Sequence, residues 1–402
     1  EAVKEYNRLV LIKDTPKEIS ENAWYNLGVI HFSAEDFDKS QAAFMEVINN
    51  FPNGTFHESA VNQTARCFIQ QTKHLEAIQM LKQNDKSTGS IALERDYLKA
   101  YLHWQLKQYE QAVKLFEVCI NSEIDTYRED AGYNKINCLH DLGSSQAVLD
   151  EVSTYLKLYP KSKYTADLNY TAGQDAEKLK KYAEAEKYFR MSLKTYVGEW
   201  PLVDNAYFAL ANVLNILKNY VEEGKVWEEL YRRERSEFRE SALLKGSEAW
   251  YKAKDVKKSL ALLNEYLKTF QKGNDLYYVQ SRIAEIHIME GSFKEASEFL
   301  EKVLASSELK PVNKASLQSV LGRVYYYQKD YEKAISELQK CLKSKSLTKE
   351  LTSDCLVYIG FSQIADGREA DGVKSLAGAF EERKDFKSLL NFEEENAISL
   401  LL

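Results

Sequence analysis

Residues Trp24 to Pro52 read WYNLGVIHFSAEDFDKSQAAFMEVINNFP. Apolar residues recur three and four positions apart on both sides of a polar break at Ser33 to Asp36, as in two amphipathic helices joined by a short turn. Gly28 lies before the break, Ser40 twelve residues later, and Phe44 four beyond that. Small side chains at two such points let antiparallel helices approach closely. A bulky residue one turn further on lies on the same buried face.

The same spacing recurs along the chain. Small residues twelve positions apart are Gly28/Ser40, Ala65/Ala77, Ala100/Ala112, Gly173/Ala185, Ser247/Ser259, Ala284/Ala296, Gly322/Ala334 and Gly360/Gly372. The bulky residue follows as Phe44, Leu81, Phe116, Phe189, Leu263, Leu300, Leu338 and Leu376. An aromatic often follows the turn: Phe37, Tyr109, Tyr182, Tyr220, Phe293 and Tyr331. All five prolines (Pro16, Pro52, Pro160, Pro201 and Pro311) fall where one hairpin ends and the next begins. A helix interior would lose roughly 3 kcal/mol at each. The period averages about 37 residues, which predicts roughly ten hairpins, or roughly twenty helices, between Glu21 and Phe392.

These residues resemble the tetratricopeptide repeat, whose signature is Trp, Leu-Gly, an aromatic, Ala, an aromatic and Pro at set offsets. The first repeat supplies Trp24, Leu27, Gly28, His31, Phe37, Ser40, Phe44 and Pro52. The resemblance implies an all-α fold, a right-handed α-solenoid of helix pairs. The fourth repeat, Ala131 to Pro160, calls for a one-residue insertion, and the sixth places Glu223 at a small-residue position. Two joints, FPNGTFHESA (Phe51 to Ala60) and YPKSKYTADL (Tyr159 to Leu168), are similar to those of bacterial cell-envelope members, including outer-membrane assembly lipoproteins. Asn84 to Ser90 reads as a loop. Residues 1–20, with Ala2, Tyr6 and Leu9 in the second-helix pattern, imply a partner helix upstream, and 21–392 form the array. Phe386, Leu389, Leu390 and Phe392 suggest a cap on the last repeat, with 393–402 as a terminal segment.

Composition narrows the function. The 402 residues are 44% hydrophobic and 29% charged, enough for a large core. A net charge of -7 disfavours a nucleic-acid partner, which calls for a basic face. No apolar run is long enough to span a bilayer. Cys67, Cys119, Cys138, Cys341 and Cys355 lack zinc-like spacing, and four of them form two look-alike pairs across consecutive helices, Cys119/Cys138 and Cys341/Cys355. They read as small buried residues, with an oxidisable contact as the alternative. His31, His103 and His287 share one repeat position, usually tyrosine in the family, and read as packing residues. With no metal-binding, phosphate-cradling or nucleophile-elbow motif, neither enzyme nor cofactor is expected.

The resemblance places one face of each first helix on the concave side. The expected partner-binding positions are Tyr25, Phe32, Arg66, Tyr97, Tyr101, Trp104, Tyr133, Asn137, Tyr170, Phe208, Asn212, Asn215, Tyr251, Arg323 and Tyr326. Tyr278, Tyr327, Asn62 and Asn205 accompany them. Tyrosine, tryptophan and arginine concentrate at binding hot spots, and asparagine can pair with an extended backbone. The competing reading is that these tyrosines pack between neighbouring first helices. Trp104, with Tyr97 and Tyr101, is expected to form an exposed cluster on which an extended partner segment stacks as it crosses the third and fourth hairpins, hydrogen-bonding to Asn137. The family's lysine and asparagine clamp for a terminal carboxylate is not reproduced. The expectation is a scaffold or adaptor for other proteins, taking an extended segment or a helix, in the periplasm or envelope, in outer-membrane assembly or a motility machine. The alternative is a regulatory segment of a longer protein that controls an enzyme domain. Arg232, Arg233, Arg235 and Arg239 read as a solvated patch, with an acidic docking site as the second option.

Overall fold

The computed structural model describes residues 2–12, 15–83, 87–271, 275–305, 310–344 and 347–382. The chain divides into two compact units, Glu1–Leu217 and Lys218–Leu402. The first unit runs α1 (Ala2–Leu11), α2 (Lys17–Ser33), α3 (Phe37–Asn50), α4 (His57–Gln70), α5 (His74–Gln83), α6 (Gly89–Gln105) and α7 (Tyr109–Ile120). After a 3-10 turn at Asp125–Tyr127 it continues as α8 (Arg128–Leu142), α9 (Ser145–Leu158), α10 (Thr165–Lys178), α11 (Tyr182–Thr195) and α12 (Val203–Ile216). The second unit holds α13 (Tyr220–Arg232), α14 (Arg239–Lys252), α15 (Val256–Thr269), α16 (Leu276–Met289) and α17 (Phe293–Leu304). It ends with α18 (Pro311–Tyr327), α19 (Tyr331–Leu342), α20 (Lys349–Ala365) and α21 (Glu369–Glu382). The protein is all-α, with no strand among the described residues.

All sixteen small residues of the repeat pattern are buried. A Cβ on Gly28 would come within 2.5 Å of the Phe44 ring, and one on Gly173 within 2.6 Å of Phe189. On Gly322 it would meet Leu338 at 2.4 Å, and on Gly360, Leu376 at 2.8 Å. The small residue is therefore the seat of the bulky one. Ser40 ties the first hairpin by donating Oγ–H to the Gly28 carbonyl at 2.8 Å. The aromatics after each turn (Phe37, Tyr109, Tyr182, Tyr220, Phe293 and Tyr331) are the first residues of their helices. Pro311 opens α18, where a missing N–H leaves no helical bond unmade.

The tight turns repeat one conformation. Glu35, Thr72, Lys107 and Lys180 in the first unit and Lys254 and Lys329 in the second have φ between 59° and 67°. At this left-handed position the N–H groups of Glu35 and Asp36 close on the Phe32 and His31 carbonyls, both at 2.9 Å. The fourth hairpin keeps this turn. Gly143 (φ 80) takes the place of Glu35, and the N–H groups of Gly143 and Ser144 reach His140 and Leu139 at 3.0 Å each. The expected insertion is therefore absent. Ile136 and Val148 fill the small sites, and Val152 replaces the large side chain, all three buried. Volume has been moved across the interface, not added to it.

The loop expected at Asn84 to Ser90 is also shorter, because Gly89 and Ser90 already belong to α6; Asn84 to Lys86 lie outside the described residues. So do 383–402, including Phe386, Leu389, Leu390, Phe392 and residues 393–402. The Phe51–Ala60 joint closes on a buried carboxylate: Glu21 accepts from the Thr55 and Phe56 N–H groups at 3.2 and 2.6 Å. Only glycine at position 54 lets that carboxylate approach, since a Cβ there would lie 2.1 Å from it.

Candidate protein-binding surface

Within the first unit the first helices α4, α6, α8, α10 and α12 touch their neighbours in a layer of their own, as do α16, α18 and α20 in the second. Three residues before the small or equivalent site, α2, α6, α8 and α10 each present one of the aromatics expected to bind a partner, Tyr25, Tyr97, Tyr133 and Tyr170. Tyr25 stacks on Phe56 (4.7 Å between centroids), Tyr97 on Tyr127 (5.0 Å) and Tyr133 on Tyr164 (3.9 Å). Tyr170 meets Trp200 edge-on at 6.0 Å. Each second ring lies in the joint leading to the next first helix, 30 or 31 residues downstream. Sequence reasoning does not supply these four pairings, although the 30- or 31-residue spacing is a signal for them.

These tyrosines are half-buried and secure inter-repeat contacts, as the packing alternative requires. Burial pushes the phenols of Tyr25, Tyr97, Tyr133 and Tyr170 above their ordinary pKa. The expected exposed cluster is not exposed. Tyr97, Tyr101 and Trp104 are all half-buried because α8 packs beside α6. Trp104 donates Nε1–H to Asp141 at 2.7 Å, and Tyr101 lies edge-on to Trp104 at 6.0 Å. Phe32 packs edge-on against Phe37 at 5.4 Å.

A second row, unnoticed in the sequence, consists of carboxylates. Glu94, Asp130 and Asp167 each precede the small or equivalent site by six residues. Arg66 pairs with Glu94 at 2.7 Å. Asp130 accepts from the Tyr164 hydroxyl at 2.7 Å, and Asp167 from Trp200 Nε1 at 2.6 Å.

The asparagines divide. Asn62 is fully buried and committed inside the protein: its Nδ2 donates to the Ile91 carbonyl at 3.0 Å, and its Oδ1 accepts from buried Arg95 at 3.1 Å. It does not offer its amide to a partner backbone. Asn137 hydrogen-bonds the Tyr133 phenol. Asn212, Asn215 and Phe208 are half-buried on α12, and Asn205 is exposed.

The second unit treats its aromatics differently. Arg282 lies over the Tyr251 ring at 5.0 Å, and Arg323 over Tyr358 at 5.3 Å. Tyr251 donates its hydroxyl to the Met289 thioether at 3.2 Å. Tyr326 sits among Tyr327, Tyr331, Tyr358 and Phe361, with centroids 5.4 to 6.2 Å away. Tyr327 stacks on Phe293 at 5.3 Å, whereas Tyr278 is exposed. In the basic patch, Arg232 pairs with Glu228 and Glu229, and Arg239 donates to the Tyr231 carbonyl at 3.1 Å.

The cysteine pairs are not alike in space. Cys341 and Cys355 place their sulfurs 3.3 Å apart in the core, whereas Cys119 and Cys138 turn to different backbone carbonyls, Leu93 and Tyr109. Burial pushes the Cys119 and Cys138 thiols up to about 12. The histidines at the shared position are half-buried, with the ring of His103 bonded to Gln108. Among the described residues, no three His, Cys, Asp or Glu side chains gather as metal ligands, and no helix is long and apolar enough to cross a membrane.

Models of the tetratricopeptide repeat match residues 21–53 and 97–123, 170–237, and 275–345. No curated protein matches the chain. Among solved structures, MamA from Desulfovibrio magneticus RS-1 is 17% identical, covering 45% of this chain and 95% of its own, with a TM-score of 0.36. The APC/C hetero-tetramer Cut9-Hcn1 is 12% identical over 99% of this chain and 86% of its own, with a TM-score of 0.36. Kinesin light chain TPR-like repeats from Podosopora anserina are 17% identical over 48% of this chain and 100% of their own, with a TM-score of 0.38. At these scores none of the three bears on function.

Proposed function

We propose that this chain, which carries tetratricopeptide repeats, is a protein-interaction scaffold that receives an extended partner segment on the first-helix face of its first unit. The observation that supports this reading most is the aromatic row on α6, α8 and α10. Its rings are held by stacking and hydrogen bonds, so little side-chain freedom remains to be lost on binding. Tyr101 and Trp104 are the anchors at one end, and Tyr133 and Tyr170 continue the row. Asn137, Asn212 and Asn215 supply amides beside it, while Tyr25, Phe32 and Arg66 extend it toward the N-terminus. Phe208 extends it to α12. Tyr251, Arg323 and Tyr326 form the corresponding face of the second unit. A bacterial envelope setting rests on the two joints Phe51 to Ala60 and Tyr159 to Leu168 alone.

The test is affinity purification of a partner, followed by binding of Tyr101→Ala and Trp104→Ala beside their thermal unfolding. Each variant is expected to weaken binding by about 2 kcal/mol, the usual size for a central aromatic anchor. Undiminished affinity, or affinity lost only in step with stability, would assign the row to packing alone.

A further inference from the structure

The first-helix face of the first unit combines aromatic rings with carboxylates that no cation neutralises. Asp130, Asp141 and Asp167 each accept one hydrogen bond from a neutral donor: the Tyr164 hydroxyl, Trp104 Nε1 and Trp200 Nε1, at 2.7, 2.7 and 2.6 Å. A neutral donor fixes a carboxylate's orientation and leaves its charge in place. Glu177, on α10, is half-buried, and burial alone holds its pKa above the ordinary value. Among the described residues, no lysine or arginine pairs with any of these four. The nearby cations are otherwise engaged: Arg66 with Glu94, and Lys178 at 3.3 Å from Asp175. Lys163 lies 4.7 Å over the ring of Tyr164, so a cation already rests on one member of this aromatic set.

From this juxtaposition we infer that the partner segment carries lysine or arginine, with each cation seated between an aromatic face and a carboxylate along α6, α8 and α10. The inference rests on the binding surface proposed above and names its chemistry. A cation over a ring gains about 0.5–2 kcal/mol, more where water is excluded, and a nearby carboxylate adds direction and selectivity. The chain's net charge of -7 would also speed the approach of a basic segment. Neighbouring helices lie about 8–10 Å apart. An extended chain advances roughly 3.3–3.6 Å per residue, so basic residues roughly three apart would meet successive helices.

The probe is a fluorescein-labelled peptide of four Lys-Gly-Ser units, compared by polarisation with peptides bearing Gln or Glu in place of Lys. The lysine peptide is expected to bind most tightly and the glutamate peptide least. Asp130→Asn, Asp141→Asn, Asp167→Asn and Glu177→Gln together should weaken the lysine peptide by at least about tenfold, the range of close charge pairs at interfaces. The amides keep the side-chain shapes, and circular dichroism checks that the helices remain. Glu295→Gln, Glu332→Gln and Glu369→Gln together, all exposed in the second unit, should change binding little. Equal weakening by both sets would reduce the effect to diffuse attraction and overturn the inference. A glutamine peptide bound as tightly as the lysine peptide, and lost on Trp104→Ala, would also overturn it while leaving the binding surface intact. Absence of binding by all three peptides would overturn it as well.

Discussion

The first-helix faces of the two units are built from the same repeat and finished in different ways. In the first unit, aromatic rings lean on aromatics from the next joint, as in Tyr133 on Tyr164, and carboxylates stand beside them. In the second, the chain's own arginines cover the rings: Arg282 on Tyr251 and Arg323 on Tyr358. Lys163 over Tyr164 is an exception in the first unit, where among the described residues no cation lies over Tyr101, Trp104, Tyr133 or Tyr170; a face whose rings are already covered has less to gain from a partner's cations. The contrast teaches that an aromatic at a repeat position is not by itself a binding site; the charge placed next to it decides what it can accept.

The largest expected effect is at high pH. Burial raises the phenol pKa of nine tyrosines in the first unit: Tyr25, Tyr97, Tyr127, Tyr133, Tyr155, Tyr159, Tyr164, Tyr170 and Tyr188. In the second unit Tyr266 and Tyr325 are raised. A raised value means that the folded state holds the proton more tightly than the unfolded state. This contribution to stability is complete below the ordinary value of 10.0 and is lost as pH climbs beyond it. The first unit should therefore unfold at lower alkaline pH than the second. Helix content followed with tyrosinate absorbance measures this. Tyr97→Phe with Tyr164→Phe should raise the first alkaline midpoint, and Tyr266→Phe with Tyr325→Phe should leave it alone; the opposite pattern would remove the contrast.

Next in size are the seats of the large side chains. Phe44→Ala and Phe189→Ala should each cost about 3–5 kcal/mol. Because repeats contact mainly their neighbours, hydrogen exchange should accelerate in the first unit and hold in the second. Uniform acceleration along the whole chain would contradict this.

Arg323→Gln removes the cation from Tyr358 and should lower the stability of the second unit by about 1–2 kcal/mol, the scale of a partly desolvated cation–π contact. Urea unfolding followed by exchange in α18 and α20 reads the change. A stability unaltered by the substitution would mean that the arginine covers the ring without holding it.

The smallest effect concerns the turns. Lys107 and Lys254 hold φ of 59° and 67°, which glycine adopts without strain, as Gly143 does at φ 80. Lys107→Gly and Lys254→Gly should each stabilise their hairpins by less than about 1 kcal/mol, the steric relief being partly offset by a freer unfolded chain. Thermal melting of the two variants compares the units directly, and destabilisation in either would show that the lysine side chain contributes more than its strain removes.

Much of the architecture follows from the sequence itself. The twelve-residue spacing of Gly28 and Ser40, the bulky Phe44 and the prolines at the joints depend on helical geometry within one hairpin. Local chain statistics and sterics fix such relations, so they can be read without coordinates. What the sequence left open lies between residues about one repeat apart. Nothing near Tyr25 announces that Phe56 will cover it, and nothing near Asn62 announces that Arg95 will claim its amide. The fourth hairpin shows the same limit, since Ile136 opposite Val152 looks like a broken register until the shared turn at Gly143 is seen. Whether a side chain packs, pairs or faces solvent depends on how successive hairpins dock, and only the tertiary structure brings those partners together.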